Sequence, residues 1–279
     1  MRSYVLIRHA VVAVVGGALA VSGLAVRAGA QATATQKPFE PYSGQPGKDV
    51  VWVPTPQPLV EKMLDMAQVT PQDFVMDLGS GDGRTVITAA KRGTTALGIE
   101  YNPDMVTLSE KNAAAANVSA KATFRKADLF ETDLSKATVI TMFLLPSINM
   151  KLRPKILDLK PGTRIVTNTF TMEDWQPDQQ ETISEDCSTW CTALLWYVPA
   201  KVEGTWKVTA GANTSNLSLR QEFQNLTGSL GSSPISDAKL KGDEITFTVG
   251  ASKYTGKVTG NSISGRIAGG GGGSWSATK

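Results

Sequence analysis

The stretch Val75-Met76-Asp77-Leu78-Gly79-Ser80-Gly81-Asp82-Gly83-Arg84 decides the fold. The apolar run Phe74–Leu78 reads as a short strand, three alternating glycines turn the chain, and Arg84–Lys91 reads as a helix. Glycines at such a turn let backbone approach a ligand closely, and the helix start leaves N–H groups free to bind one. Glu100 closes the next apolar run, 23 residues after Asp77. A carboxylate there can accept two hydrogen bonds from a ribose diol. Gly-x-Gly-x-Gly alone is weak, but between a strand and a helix, with an acid at the second strand end, it points to an adenosine-containing ligand.

Outward from this turn, strands and helices alternate. Residues 58–67 have helical periodicity; 96–99 read as a strand and 103–116 as a helix, with Asn102 as its cap and Pro103 at its first position. Strand-like runs follow at 122–125, 138–144 and 164–166, with a helix at 148–159 interrupted at Pro154. This alternation predicts a parallel sheet covered on both faces. Residues 181–184 and 193–198 then predict an antiparallel edge hairpin. Cys187 and Cys191 flank Ser188-Thr189-Trp190 at its tip, so a disulfide closing the tip is expected. A redox-active pair is the alternative, but thioredoxin-type chemistry uses C-x2-C at a helix start.

The glycine spacing departs from the G-x-G-x-x-G of dinucleotide sites, which argues against a dehydrogenase. Asp77 to Gly83 instead resembles the D-x-G-x-G-x-G motif of class I S-adenosylmethionine-dependent methyltransferases. Ala127-Asp128-Leu129-Phe130 resembles a further motif of that family, in which an acid contacts the adenine amino group and the next backbone amide contacts the ring. The turn Lys160-Pro161-Gly162 is also common there. A narrower resemblance spans residues 49 to about 175, about half the chain. It rests on Val51-Trp52-Val53-Pro54-Thr55-Pro56, the glycine motif, Phe143-Leu144-Leu145-Pro146 and Leu152-Arg153-Pro154. These are similar to bacterial relatives of mitochondrial protein-lysine methyltransferases, which modify the ATP synthase c subunit and the adenine nucleotide translocase. The resemblance implies a seven-stranded Rossmann-like sheet and S-adenosylmethionine as cofactor. It implies cofactor contacts at Asp77, Gly79, Ser80, Gly81, Glu100, Tyr101, Asp128 and Leu129. Acceptor-site candidates are Trp52, Pro54, Thr55, Phe143, Leu144, Pro146 and Asn149, with no catalytic residue assigned. Leu144-Leu145-Pro146-Ser147 stands where amino-nucleobase methyltransferases carry N/D-P-P-Y, which counts against nucleic-acid amines.

The ends of the chain are built differently. Residues 1–32 read as a secretory signal peptide: Arg2 and Arg8, an apolar run, then small residues around Ala28-Gly29-Ala30-Gln31-Ala32. An uncleaved membrane anchor is the alternative, and the only reading that involves a membrane. Either places the rest outside the cytoplasm, periplasmic or secreted. Without this segment the 28 Lys and Arg fall to 25, equal to the 25 Asp and Glu, so there is no global charge for nucleic acid. Residues 33–50, rich in Pro and Gly, read as an extended arm, and 51–200 as the methyltransferase domain. Residues 201–279 alternate with period two and read as a small antiparallel meander or barrel of six to eight strands. Gly242-Asp243 and Gly260-Asn261 are hairpin signals, and 269–273 a mobile loop before a final strand at Trp275. The α/β region is net −4 and the tail net +4, charges that favour docking.

The one histidine, His9, lies in the leader-like segment, which leaves the rest of the chain none for a Ser-His-Asp triad, a Cys-His pair or a histidine zinc site, and two cysteines are too few for a four-cysteine zinc site. The resulting expectation is methyl transfer in line to an acceptor, most directly a protein lysine amine. The alternative is an exported non-catalytic module whose β domain binds the envelope.

Overall fold

The computed structural model describes residues 10–13 and 39–279; the leader-like segment, apart from residues 10–13, lies outside them. The elements run β1 (Gln45–Pro46), β2 (Val51–Trp52), α1 (Gln57–Met66), β3 (Phe74–Leu78), α2 (Arg84–Lys91), β4 (Thr95–Glu100), α3 (Pro103–Ala115) and β5 (Ala122–Lys126). Then come β6 (Val139–Met142), α4 (Pro146–Leu157), β7 (Arg164–Asn168), β8 (Gln179–Thr182) and β9 (Thr192–Tyr197). The tail holds β10 (Gly204–Ala210), β11 (Asn213–Glu222), β12 (Asn225–Leu230), β13 (Ser233–Pro234), β14 (Ser236–Lys241), β15 (Glu244–Val249), β16 (Ser252–Thr259), β17 (Ser262–Ala268) and β18 (Gly273–Thr278).

Seven strands form one sheet in the order β5-β4-β3-β6-β7-β9-β8. The first five are parallel; β9 runs against β7, and β8 against β9. Successive strand residues point to opposite faces, so each strand feeds two cores. Val75, Ala96, Val139 and Val166 pack under α1, α2 and α3. Met76, Leu78, Ile140, Met142 and Ile165 pack under α4 and the buried Trp175 and Trp196.

Three expectations need correction. β6 ends at Met142 rather than running on to Leu144. Pro146 takes the first position of α4 and holds Leu145 extended (φ −59°, ψ 151°), so the chain turns out of the sheet before it. Pro154 does not interrupt α4. It lies in the last turns, and buried Leu152 and Ile156 anchor the helix on either side of it. The stretch read as an extended arm folds back: β1 and β2 pair as a tight antiparallel ladder, Gln45 with Trp52 and Pro46 with Val51.

The tail closes into an eight-stranded up-and-down barrel. Each strand from β10 to β18 pairs antiparallel with its neighbours, β13 being a short side pairing, and β18 returns to β10. Trp206, Leu217, Leu240, Ile245, Phe247 and Trp275 fill it. Gly242-Asp243 and Gly260-Asn261 form two-residue turns, with Lys241 opposite Glu244 and Thr259 opposite Ser262.

The barrel docks at the amino end of the sheet, where Gly242 (φ +62°) lies against the backbone of Gly162 so closely that a Cβ would come within 2.7 Å of its Cα. The Ala200 N–H donates to the Gly242 carbonyl (2.9 Å). Phe223, on the β11–β12 turn, stacks on Trp175 (centroids 5.8 Å apart) and joins the α4-side core. Lys201–Asp158 (2.5 Å) and Lys239–Asp178 (3.4 Å) cross the same junction. Lys201 and Asp158 are both exposed, and such a pair contributes little; the ring stack buries apolar surface at the junction. Phe223→Ala should therefore destabilise the chain by about 2 kcal/mol, read as a lower urea midpoint, whereas Lys201→Ala should leave the midpoint within about 0.5 kcal/mol.

Candidate active site

In the strand order, β3 connects outward to β4 and β5, and the chain then returns to lay β6 on the other side of β3. Ligands bind at the carboxyl ends of strands beside such a switch point. A cavity opens there, between the ends of β3, β4, β5 and β6 and the β1–β2 hairpin. Asp77, Gly79, Ser80, Gly81, Glu100, Tyr101, Asp128 and Leu129 all line it.

Asp77 is the buried floor. Strand register sets it beside Thr141 of β6, whose hydroxyl donates to its carboxylate at 2.6 Å. Burial pushes its carboxyl up to about 7; the Thr141 hydroxyl opposes this, and the nearby Glu100 and Asp82 charges reinforce it.

The loop above has a fixed shape. Gly79 and Ser80 donate their N–H groups to the Ile99 carbonyl at 2.9 and 3.0 Å. Gly81 sits at φ +54°, and a Cβ there would lie 2.4 Å from the Trp52 indole nitrogen, so only glycine admits Trp52 over the loop. Gly98 on β4 is a requirement that no sequence pattern marks: a Cβ there would lie 2.5 Å from the Ser80 hydroxyl. That hydroxyl is buried without a hydrogen-bond partner, against Gly98 and Phe124.

Glu100 accepts from the Gly81 N–H (3.0 Å) and the Asn102 N–H (2.9 Å), which fixes its carboxylate at the cavity edge. Asp128 accepts from the Phe130 N–H at 2.9 Å, and Lys48, between β1 and β2, donates to its other oxygen at 2.5 Å. The Lys48 bond holds the Asp128 carboxyl below its usual range. Lys48 also lies over the Tyr101 ring, 4.9 Å from its centroid. Each carboxylate oxygen keeps a further lone pair for a ligand. No sequence signal marks Lys48, because its partner lies 80 residues away.

On the other side, Trp52, Pro54, Thr55, Phe143 and Leu144 line the cavity. Pro146 and Asn149 do not. Pro146 starts α4, and Asn149, fully buried, donates to the backbone carbonyls of Phe170 (3.4 Å) and Thr171 (3.1 Å). Two positioning residues come to light only in the fold. Arg84 pairs with Asp82 and donates to the Thr55 carbonyl at 2.8 Å, tying the glycine loop to the segment before α1. Buried Asn168, at the end of β7, donates to the Thr55 hydroxyl at 3.3 Å.

The glycine loop at the strand end, the acid at the second strand end and the acid after the third fit an adenosine cofactor with an amino-acid tail. Comparison with known proteins agrees. Residues 77–179 match the ANTKMT methyltransferase domain. A protein-lysine N-methyltransferase of Saccharolobus islandicus is 44% identical over 47% of this chain and 83% of its own length. The human lysine N-methyltransferase of the ATP synthase c subunit is 33% identical over 46% of this chain, which spans about half (54%) of that relative. A crystal structure of an RNA methyltransferase from Salinibacter ruber, in complex with S-adenosyl-L-homocysteine, is 45% identical at TM-score 0.50, covering 54% of this chain and 96% of that one.

Asp77 yields a pH prediction. Its folded pKa lies above its unfolded one, so the native state keeps a proton that the unfolded chain releases. Its contribution to stability is full at low pH and is lost as pH rises from about 4 through about 7. Asp77→Asn should remove that slope: in urea titrations from pH 4 to 8, the variant should gain on the wild type as pH rises. The fold, the cofactor cavity and these likenesses lead to one conclusion: the chain belongs to the ANTKMT methyltransferase domain family and is an S-adenosylmethionine-dependent methyltransferase.

Proposed function

We propose that the acceptor is a lysine amine of a protein. The observation that carries this reading is the apolar character of the acceptor wall, where Trp52, Pro54, Phe143 and Leu144 meet the glycine loop. S-adenosylmethionine supplies a methyl activated by its sulfonium, open to in-line displacement by a lone pair. The protein's share is positioning and exclusion of water. Gly79, Ser80, Gly81 and Glu100 would hold the cofactor, with Asp128 at its adenine end. A lysine is cationic in water and has no free lone pair. An apolar wall disfavours the charged form and so lowers the amine's pKa.

The named activity of the Saccharolobus islandicus relative supports this reading. The Salinibacter ruber likeness favours an RNA acceptor as the second reading. Against it stand the net neutrality of residues 33–279 and the sequence Leu144-Leu145-Pro146-Ser147 in place of an amino-base tetrad. The leader-like residues 1–32 and the Cys187–Cys191 disulfide support a place of action outside the cytoplasm.

The test is transfer of tritiated methyl from S-adenosylmethionine to total protein and, separately, to total RNA of the source organism, followed by hydrolysis and chromatography. Label in methyl-lysine, abolished by Gly81→Arg, is the expected result. Label confined to RNA or to another side chain would refute the lysine acceptor.

A further inference from the structure

The tip of the β8–β9 hairpin lies outside the lining of the cofactor cavity. β8 runs parallel to the central strands, so the loop that follows it emerges at their carboxyl ends, the end that holds the cavity. The Cys187–Cys191 disulfide closes this tip. Between the two cysteines Trp190 takes a left-handed backbone conformation (φ 55°), costly for a bulky side chain, and is 42% exposed. Its ring does not pack into a core. It sits edge-on to Phe143 (centroids 5.9 Å apart), and Phe143 stacks on Phe170 (5.7 Å). Phe143 is also a wall of the cofactor cavity, so the three rings run from that cavity out to solvent. The exposed acids Glu185 and Asp186 lie on the same tip.

Aromatic faces bind ammonium groups and the methylene stem of lysine, and they retain the cation–π attraction as methyl groups are added. We propose that Trp190, held out by the disulfide-closed tip, forms with Phe143 and Phe170 an aromatic wall that receives the acceptor's lysine side chain. Glu185 and Asp186 draw a basic segment towards it. This deepens the lysine reading and rests on it. It also gives the disulfide a function, that of fixing a specificity residue at the mouth of the site. Phe143 is the contact nearest the cofactor, and Trp190 is a positioning and recognition residue at the entrance.

The experiment uses the full chain and the total-protein acceptor at increasing concentration, with tritiated S-adenosylmethionine saturating. Trp190→Ala should raise the acceptor concentration for half-maximal rate about ten-fold and leave the plateau rate within about two-fold. Trp190→Phe should restore most of the loss. Cys187→Ser/Cys191→Ser should resemble Trp190→Ala, because the tip no longer fixes the ring. Titration with S-adenosylhomocysteine should give the same affinity for all variants. Methyl-lysine formed by Trp190→Ala with an unchanged half-saturation would overturn the wall while leaving the lysine reading intact. A parallel loss of S-adenosylhomocysteine affinity would make Trp190 a structural residue and also overturn it. Label found in anything other than lysine would bring down both.

Discussion

The hydrogen bond from Thr141 to Asp77 joins the two strands between which the topology reverses. To one side the chain has built β4 and β5; to the other it has yet to build β7 and the edge hairpin. No helix crosses the gap at the strand ends, so a cavity must form there. Asp77 closes its floor, and its neighbours Gly79, Ser80 and Gly81 form its wall. A carboxyl so buried keeps its proton to about 7. It serves as a satisfied polar strut beneath the loop, and the half-buried carboxylates at Glu100 and Asp128 are left for the ligand.

From that floor the site is assembled by ties over long sequence separations. Arg84 connects the glycine loop to Thr55, Asn168 connects Thr55 to the end of β7, and Lys48 connects the β1–β2 hairpin to Asp128. Trp52 lies over Gly81, so the hairpin, the loop and the segment before α1 share one packing arrangement. Preorganisation of this kind suits a reaction in which placement supplies most of the rate. The barrel, by contrast, docks through Phe223, Gly242 and two ion pairs at the opposite end of the sheet. It supports the fold's far edge and contributes no wall to the cofactor cavity.

Local chemistry was the legible part of the sequence. The glycine motif, the Asn102 cap, the period-two tail and the C-x3-C spacing each act within a few residues, and each appears in the structure at its expected place. What depends on distant partners was not legible. Gly98 looks like any strand glycine until Ser80 is found against it. Asn149 reads as an acceptor-site candidate until the carbonyls of Phe170 and Thr171 are found beside it. Lys48 falls in a stretch that reads as an extended arm, and only the fold brings it to Asp128. Pro154 misled for a related reason: buried neighbours on both sides outweigh the one hydrogen bond that a proline removes.

The central claim is that the Gly79–Gly81 turn, Glu100 and Asp128 form a working cofactor site. Isothermal titration of the full chain with S-adenosylhomocysteine tests it most directly, beside a Gly81→Arg/Glu100→Ala variant whose fold is checked by circular dichroism. The account predicts micromolar binding by the wild type, lost in the folded variant. No binding by a folded wild type, or equal binding by the variant, would contradict it.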